Sequence, residues 1–347
     1  MSEGIRESVV VTQATASPPR PGASSKRRSG PSNVWLRVLR QGLLRLVAVL
    51  GVLIVSTFAM VRLVPGDPAR RIVGLEGSED AYLQAREQMH LDDPLAVQFV
   101  AYLNDLVHFD LGNSFTNREP VTELIADRAV PTLQLTALAV VLALAFSVPI
   151  GIAVAHATHG RRAWLRSGFT SITGLISGLP HYLTATVLVF LFAITLTWFP
   201  PSGTDGFLYL VLPALALAAR PTAMLARLVR VESTRVLNLD YIRTARSKRL
   251  PTRILHLRHV LPNVLTPAVA VAGTLVASLI SGAIIVEQVF ARSGLGTELV
   301  SAVLDGDYPV VQGITLFLGV GVVVINTLVE LLVVTLDPQS AQSQEGT

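Results

Sequence analysis

Long apolar runs that contain no charged side chain recur along the chain. Asp, Glu, Lys and Arg are absent from the intervals 46–61, 129–160, 167–204, 259–286 and 308–329. A helix needs about 20 mostly apolar residues to cross a bilayer. The first interval approaches that length when Leu43 and Leu44 are included. A sixth apolar run begins near residue 207 and contains no charged residue before Arg220. The pattern predicts an all-α integral membrane protein whose six transmembrane helices lie near 43–63, 130–155, 173–199, 207–230, 264–286 and 311–335.

The composition agrees with a membrane protein. Hydrophobic residues make up 51% of the 347 residues, and charged residues make up 15%. A soluble domain carries roughly 25% charged residues, so a large soluble helical protein would need far more polar surface than this chain has. There is no cysteine, which excludes disulfides and thiolate metal sites.

The distribution of cations predicts the orientation, because Lys and Arg accumulate in short cytoplasmic segments. Eight cations lie between the N-terminus and Arg45 inclusive, and segment 220–258 carries ten cations against two acids. Segment 62–129 instead carries six cations against twelve acids, and 287–310 has one cation. We therefore expect a multi-pass protein of the bacterial cell membrane with both termini and segment 231–262 in the cytoplasm.

The predicted organisation has three parts. Residues 1–35, rich in Ser, Pro and Arg, cannot bury enough apolar surface to fold and are expected to form a disordered cytoplasmic tail. A transmembrane domain follows at 36–338, with a C-terminal tail at 339–347. Within that domain, region 65–129 is expected to lie outside the cell and to form two or three short helices.

The central segment YIRTARSKRLPTRILHLRHVLPN, residues 241–263, has six Lys/Arg, no acid and two prolines. Asp240 is expected to cap a short helix that begins at Tyr241. Pro251 suits the first turn of a second helix and pushes Leu250 out of helical geometry. Pro262 is expected to start or kink the following span. The pattern therefore predicts two short angled helices, over 240–262, at the cytoplasmic surface.

Two interpretations of this segment remain open from its charge alone. Its cations could anchor the chain on anionic lipid, at about 1 kcal/mol each. A pair of short rigid helices joined to two spans is better suited to transmitting a push from a soluble partner.

The segment resembles the coupling loop, the EAA motif, of ABC importer permeases. In that motif Glu-Ala-Ala precedes a Gly by three intervening residues, and Ile-x-Leu-Pro follows nine residues later. The matching stretches here are Arg243–Thr244–Ala245, Arg249 at the Gly position, and His259 to Pro262. The residues assigned to the loop by this resemblance are Asp240, Tyr241, Arg243, Thr244, Ala245, Arg249, Leu261 and Pro262.

Other stretches are similar to the dipeptide/oligopeptide branch of the same permeases, and they cover about residues 36–338. They are YIRTARSK, VRLVPGDP at 61–68, LDDPLAVQFVAYL at 91–103, DLGNSF at 110–115, VLPALALA at 211–218, EQVFARSGLG at 287–296, DYPVVQG at 307–313 and LDP at 336–338.

The resemblance implies a type I ABC importer permease (MetI-like) fold. It also implies a second permease of similar fold, two ATPase subunits that bind ATP and Mg, an extracytoplasmic binding protein and a peptide substrate. The chain contains no G-x-x-x-x-G-K-[ST] phosphate loop, so the energy is expected to come from the partners. We predict no enzyme activity, catalytic residue, bound cofactor, metal or nucleic acid for this chain.

Arg249 departs from the family pattern. A Gly there suits a helix end with a positive φ, and a non-Gly residue in that conformation costs roughly 1 kcal/mol. A specific contact with an ATPase acid and neutral drift both remain open as explanations.

Arg220 and the stretch RLVPGDP are further candidate sites. Arg220 lies inside the fourth predicted span, where a charge is a candidate functional residue; it either faces the pathway or extends its charge toward the headgroups. By resemblance, Arg62, Pro65, Gly66, Asp67 and Pro68 form an external gate or binding-protein contact. The other interpretation of that stretch is a simple end to the first span.

Three other functions are weighed against peptide import. Permeases of the same branch import nickel or other small solutes. A proton-driven transporter should carry paired acids inside its spans, and the predicted spans have almost none. The third is a membrane subunit that signals or scaffolds without transport.

Overall fold

The computed structural model describes residues 31–63, 68–73, 78–88, 91–158, 162–204 and 206–336. Regular structure in these ranges is helical, apart from one isolated bridge between Asn113 and Pro120. The α-helices are α1 Pro31–Leu63, α2 Pro68–Val73, α3 Glu79–Gln88, α4 Leu95–Val107, α5 Val121–Thr158, α6 Ala163–Gly178, α7 His181–Leu188, α8 Leu208–Leu237, α9 Asp240–Ser247, α10 Thr252–Leu255, α11 Leu261–Val289, α12 Leu295–Asp305 and α13 Tyr308–Leu336. Two π-helical segments follow α7 and α10, at Val189–Thr195 and His256–Val260. The predicted all-α class is confirmed.

Five of the predicted spans are continuous apolar helices long enough to cross a membrane. They are Val38–Met60, Val121–Thr158, Leu208–Leu237, Thr252–Val289 and Tyr308–Leu332. Helices α2, α3 and α4 form the short helices expected between the first two spans.

The helix predicted near 173–199 is not continuous. Helix α6 ends at Gly178 and α7 begins at His181, and the two segments are bent by 100°. Leu179 between them is extended, with φ −70° and ψ 132°. Pro180 explains the break, because proline has no N–H and disfavours helical geometry in the residue before it. The bent pair makes a sixth span only if it is counted as one.

Helix α8 lies at the centre of the bundle and packs most extensively against α5, with α6, α7 and α11 around it. Small residues allow this close approach. A Cβ at Gly151 of α5 would lie 2.5 Å from Val229 and 2.9 Å from the Ala226 carbonyl. Helices α5, α7, α8 and α11 bury a central cluster that includes Leu135, Leu212, Leu217, Leu225, Leu279 and Phe290.

Helices α1 and α13 form an antiparallel pair that packs along the bundle. Arg45, midway along α1, and Glu330, near the end of α13, form an ion pair at 2.7 Å. Gln312 Nε2 donates to the Thr57 carbonyl at 2.9 Å near the other ends. Thr57 also lies 3.2 Å from the Tyr102 hydroxyl of α4, which connects the short helices to the first span.

Candidate functional site

Helix α9 turns an apolar face to the bundle and a polar face outwards. Ile242 is fully buried and Ala245 is 7% exposed, because residues three apart share one helix face. Both pack with Val236 and Leu237 at the end of α8 and with Ala155 of α5. We call this the basic-end cluster, and the end of the bundle that contains it the basic end. The apolar face packs α9 against α8 and into a cluster that also contains residues of α5.

The first turn of α9 differs by one residue from the sequence prediction. The helix begins at Asp240, its N-cap is Leu239, and no side chain caps it; the expectation that Asp240 caps a helix from Tyr241 is therefore wrong. The Asp240 carboxylate lies 3.4 Å from the Arg243 guanidinium, and both side chains are exposed. An exposed pair of this kind stabilises a protein by less than about 1 kcal/mol.

The end of α9 forms a Schellman motif at Arg249. The Arg249 N–H donates to the Arg246 carbonyl at 2.9 Å, and the Leu250 N–H donates to the Ala245 carbonyl at 3.3 Å. Arg249 has φ +56°, which is the left-handed conformation that glycine adopts without strain. The helix therefore ends as the glycine of the motif would end it, and Arg249 bears the cost of roughly 1 kcal/mol for a residue with a Cβ.

The second arm of the loop is the start of a span. Helix α10, the π-helical segment and α11 form one helical stretch, Thr252–Val289. The prediction of a separate second short helix is wrong in this respect. Pro262 has no N–H to continue the hydrogen-bond ladder, and the π-helical segment before it is where the ladder changes pitch. Leu255 and Val260 of this arm are buried in the basic-end cluster.

Polar contacts connect the two arms. Asn263 Nδ2 donates to the His259 carbonyl at 2.7 Å and lies 3.4 Å from the Tyr241 hydroxyl. The rings of Tyr241 and His259 are 6.3 Å apart. Leu261 is half-buried and Pro262 is exposed beside these contacts. On α9, the Thr244 hydroxyl donates to the carbonyl of Asp240 at 3.1 Å, so Thr244 stays on its own helix.

The outer face of both arms is cationic and exposed. We call it the basic surface, and its members are Arg243, Arg246, Lys248, Arg249, Arg253 and Arg258. The sequence contains no acid between Asp240 and Glu287. The arrangement is therefore a rigid, positively charged projection, fixed to three long helices by its apolar face.

The far end of the bundle contains a buried carboxylate that is not among the candidate site residues predicted from the sequence. Glu287, at the end of α11, is fully buried. Its Oε1 accepts a hydrogen bond from the Thr132 hydroxyl of α5 at 2.7 Å, and its Oε2 accepts from the Gly296 N–H at 2.8 Å. The Leu295 N–H donates to the same Thr132 hydroxyl at 2.8 Å. We call these groups the Glu287 network.

The stretch EQVFARSGLG is shaped around this carboxylate. A Cβ at Gly294 would lie 2.3 Å from Glu287 Oε1, and one at Gly296 would lie 2.4 Å from the Ile284 Cα. Arg292 is 2% exposed, and its Nη1 donates to the Tyr209 carbonyl at 3.2 Å. Burial lowers the pKa of Arg292, and the nearby Glu287 carboxylate opposes this shift. The two glycines in the sequence were the signal for a close approach.

Two further stretches of the resemblance meet at the far end. The Ser114 hydroxyl of DLGNSF donates to Asp307 Oδ2 of DYPVVQG at 2.5 Å, and the Thr116 N–H donates to the same oxygen at 3.1 Å. Asp307 is 3% exposed. A Cβ at Gly313 would lie 2.6 Å from Val121. These residues therefore hold the start of α13 against the start of α5.

Arg220 lies on the exposed face of α8, although most of the neighbouring positions on that helix are buried. Among the described residues its guanidinium has no ion-pair partner. Pro65, Gly66 and Asp67 of the predicted external gate lie outside the described residues. Arg62 and Pro68 lie in α1 and α2. The structure therefore brings the coupling-loop residues together and leaves the gate untested.

Taken together, the long apolar helices define an α-helical protein of the membrane-spanning class. The fold resembles the methionine ABC transporter MetNI in its inward-facing form, with a TM-score of 0.51 at 16% identity over 62% of this chain and 97% of that one. A likeness at that identity supports the fold.

The family follows from the sequence comparisons. Residues 35–136 match the N-terminal family domain of binding-protein-dependent transport system membrane components, and residues 147–342 match the family described as binding-protein-dependent transport system inner membrane component. The chain belongs to this family, whose members are permease subunits of ABC importers.

Relatives match almost their whole length. A Brucella abortus (strain 2308) protein, provisionally named a peptide transport system permease, is 39% identical over 302 residues, which is 84% of this chain and 95% of the relative. The glutathione transport system permease protein GsiC of Salmonella paratyphi A is 37% identical over 305 residues, 87% of this chain and 98% of the relative.

Proposed function

We propose that the chain forms half of the translocation pathway of an ATP-driven importer for peptides. The observation that carries the proposal is the attachment of α9 and the second arm to α5, α8 and α11 through the basic-end cluster. A force applied to the outer face of α9 passes directly to the helices that form the core. The names of the Brucella and Salmonella relatives support a peptide-like substrate, which includes glutathione.

The proposed assembly has a second permease, two ATPase subunits that carry the ATP and Mg, and an extracytoplasmic binding protein. The basic end faces the cytoplasm, with both termini, because the Lys and Arg residues accumulate there. The region 65–129 then lies on the outer face. Arg62 and Pro65 to Pro68 remain candidates for the external gate.

The assembly is tested by reconstitution in vesicles with the second permease and the ATPase subunits that co-purify with this chain. We expect ATP hydrolysis that the loaded binding protein stimulates, together with uptake of labelled peptide. Labelled dipeptide, glutathione and nickel are compared in the same vesicles. Uptake that requires a proton gradient and does not depend on ATP would instead favour a secondary transporter. Uptake of nickel without uptake of either peptide would contradict the peptide assignment.

Arg220 is proposed to face the pathway and to contact the carboxylate of the substrate. A charge in a span is costly unless it meets water or a partner, and Arg220 lies on the one exposed side of a central helix. We expect Arg220→Gln to lower uptake of free-acid peptides by about tenfold, the value of one charge-assisted hydrogen bond.

The comparison that decides the role of Arg220 uses the same peptides with an amidated C-terminus. Their uptake should be little changed by Arg220→Gln. Arg227→Gln is the matched control on α8, because Arg227 donates to the Ser177 hydroxyl of α6 at 3.0 Å and should not distinguish the two peptide forms. Equal uptake of both forms by Arg220→Gln would exclude the contact.

A further inference from the structure

The side chain at position 249 is both strained and exposed. Its φ is +56°, and glycine would adopt that conformation without the strain that a Cβ brings. Among the described residues the Arg249 guanidinium makes no hydrogen bond or ion pair, so only the backbone hydrogen bonds of the Schellman motif offset the strain. A contact outside the chain would account for an arginine at this position.

The surroundings of Arg249 fix it at the tip of the loop. The two Schellman bonds to Arg246 and Ala245 define the direction of the backbone, and Ala245 is buried in the basic-end cluster. Lys248 and Arg253 beside it are exposed, and the nearest acid in this segment, Asp240, already lies against Arg243 at the other end of α9. The tip is a fixed, unbalanced positive charge.

Exposed apolar side chains lie among these cations. Leu250 is 38% exposed, Ile254 is 44% exposed and Leu257 is 67% exposed. Apolar residues combined with arginine are typical of protein–protein interfaces, in which Arg is enriched and Lys is depleted. A lipid surface is fluid and attracts a cation at any nearby position, so it gives no reason to hold one at a strained position.

We propose that Arg249 is a specificity contact that enters an acidic cleft on the soluble ATPase subunit. This inference rests on the proposed function, because it assigns the chemistry of the partner at the coupling loop. The cleft carries at least one carboxylate that faces the tip of α9, and an apolar floor that receives Leu250. The contact favours the cognate ATPase over one with a neutral or basic cleft at that place.

The test compares Arg249→Gly, Arg249→Lys and the unchanged chain in the full transporter. Each is assembled with its second permease in nanodiscs of phosphatidylcholine, with and without phosphatidylglycerol, and the binding of the cognate ATPase subunits is titrated. Arg249→Gly should raise the thermal unfolding midpoint, because the strain is gone, and should weaken ATPase binding by about fivefold at low salt. The loss should shrink as salt screens the contact. Arg249→Lys should keep most of the ATPase binding, and its thermal unfolding midpoint should stay as low as that of the unchanged chain.

Two further variants separate the possible outcomes. Arg166→Ala removes an exposed cation of α6 and should leave ATPase binding unchanged. Ile242→Asp, which disrupts the attachment of α9, should abolish binding if the proposed function is right. ATPase binding by Arg249→Gly equal to that of the unchanged chain would overturn the Arg249 contact alone. A loss confined to discs with phosphatidylglycerol would assign the tip to lipid, and normal binding by Ile242→Asp would contradict the proposed function itself.

Discussion

Ile242→Asp is expected to uncouple the transporter and to destabilise the basic end by about 3–5 kcal/mol. Ile242 is fully buried among apolar side chains of three helices, and an aspartate there would be a buried charge without a partner. We expect α9 to detach from the bundle, so that the assembly no longer binds its ATPase subunits. The measurements are the thermal unfolding midpoint and ATPase retention during purification.

The matched control is Ser247→Asp, five residues further along the same helix at an exposed position. It adds the same charge to α9 and should leave the unfolding midpoint nearly unchanged. Ile242→Ala gives a graded comparison, with an expected loss of about 2–5 kcal/mol. An Ile242→Asp chain as stable as the Ser247→Asp chain would show that α9 is not anchored through its apolar face.

Glu287→Gln is expected to be the second most damaging change, although the two side chains have nearly the same shape. The Thr132 hydroxyl accepts a hydrogen bond from the Leu295 N–H and donates its own proton to Glu287 Oε1. The Gly296 N–H donates to the other carboxylate oxygen, Oε2. A glutamine has one oxygen for these two donors, and its amide NH₂ would face the second. One buried donor would lose its acceptor, at about 1–3 kcal/mol.

Glu298→Gln is the control for this change. Glu298 lies on α12 and is 3.5 Å from Arg128, and both side chains are partly exposed; removal of such a pair costs less than about 1 kcal/mol. Limited proteolysis of the segment between α11 and α12, together with the unfolding midpoint, reports the difference. Equal stability of the two variants would mean that the Glu287 network does not hold the far end together.

The sequence was sufficient to predict the spans that are uniform and apolar, because burial in lipid leaves a clear pattern of composition. It placed the start of the second span near 130, whereas α5 begins at Val121. Glu123, Asp127 and Arg128 occupy that first part of α5, and a search for uncharged intervals excludes them. The break at Leu179 was missed because the interval is uncharged and apolar throughout, and a search by composition does not detect the single proline, Pro180, that bends the chain.

The position of the coupling loop was predictable from the resembling motif, and the glycine of that motif indicated where a positive φ could occur, at Arg249. The first residue of α9 and the continuity of the second arm were not predicted correctly. The Glu287 network was not predictable in this way. Helix α5, which carries Thr132, is far in the sequence from α11 and α12, and the hydrogen bonds depend on the packing of these three helices. Gly294 and Gly296 indicated a close approach but not which side chain they receive.

One continuous helix, Thr252–Val289, joins the basic surface to the carboxylate of Glu287. Its 38 residues span about 57 Å at 1.5 Å per residue, which is longer than a bilayer is thick. A displacement of the basic surface is therefore expected to reach the Glu287 network through this one helix. Its hydrogen-bond ladder is interrupted at the π-helical segment, at Pro262 and at Pro267, and these are the positions at which we expect it to bend.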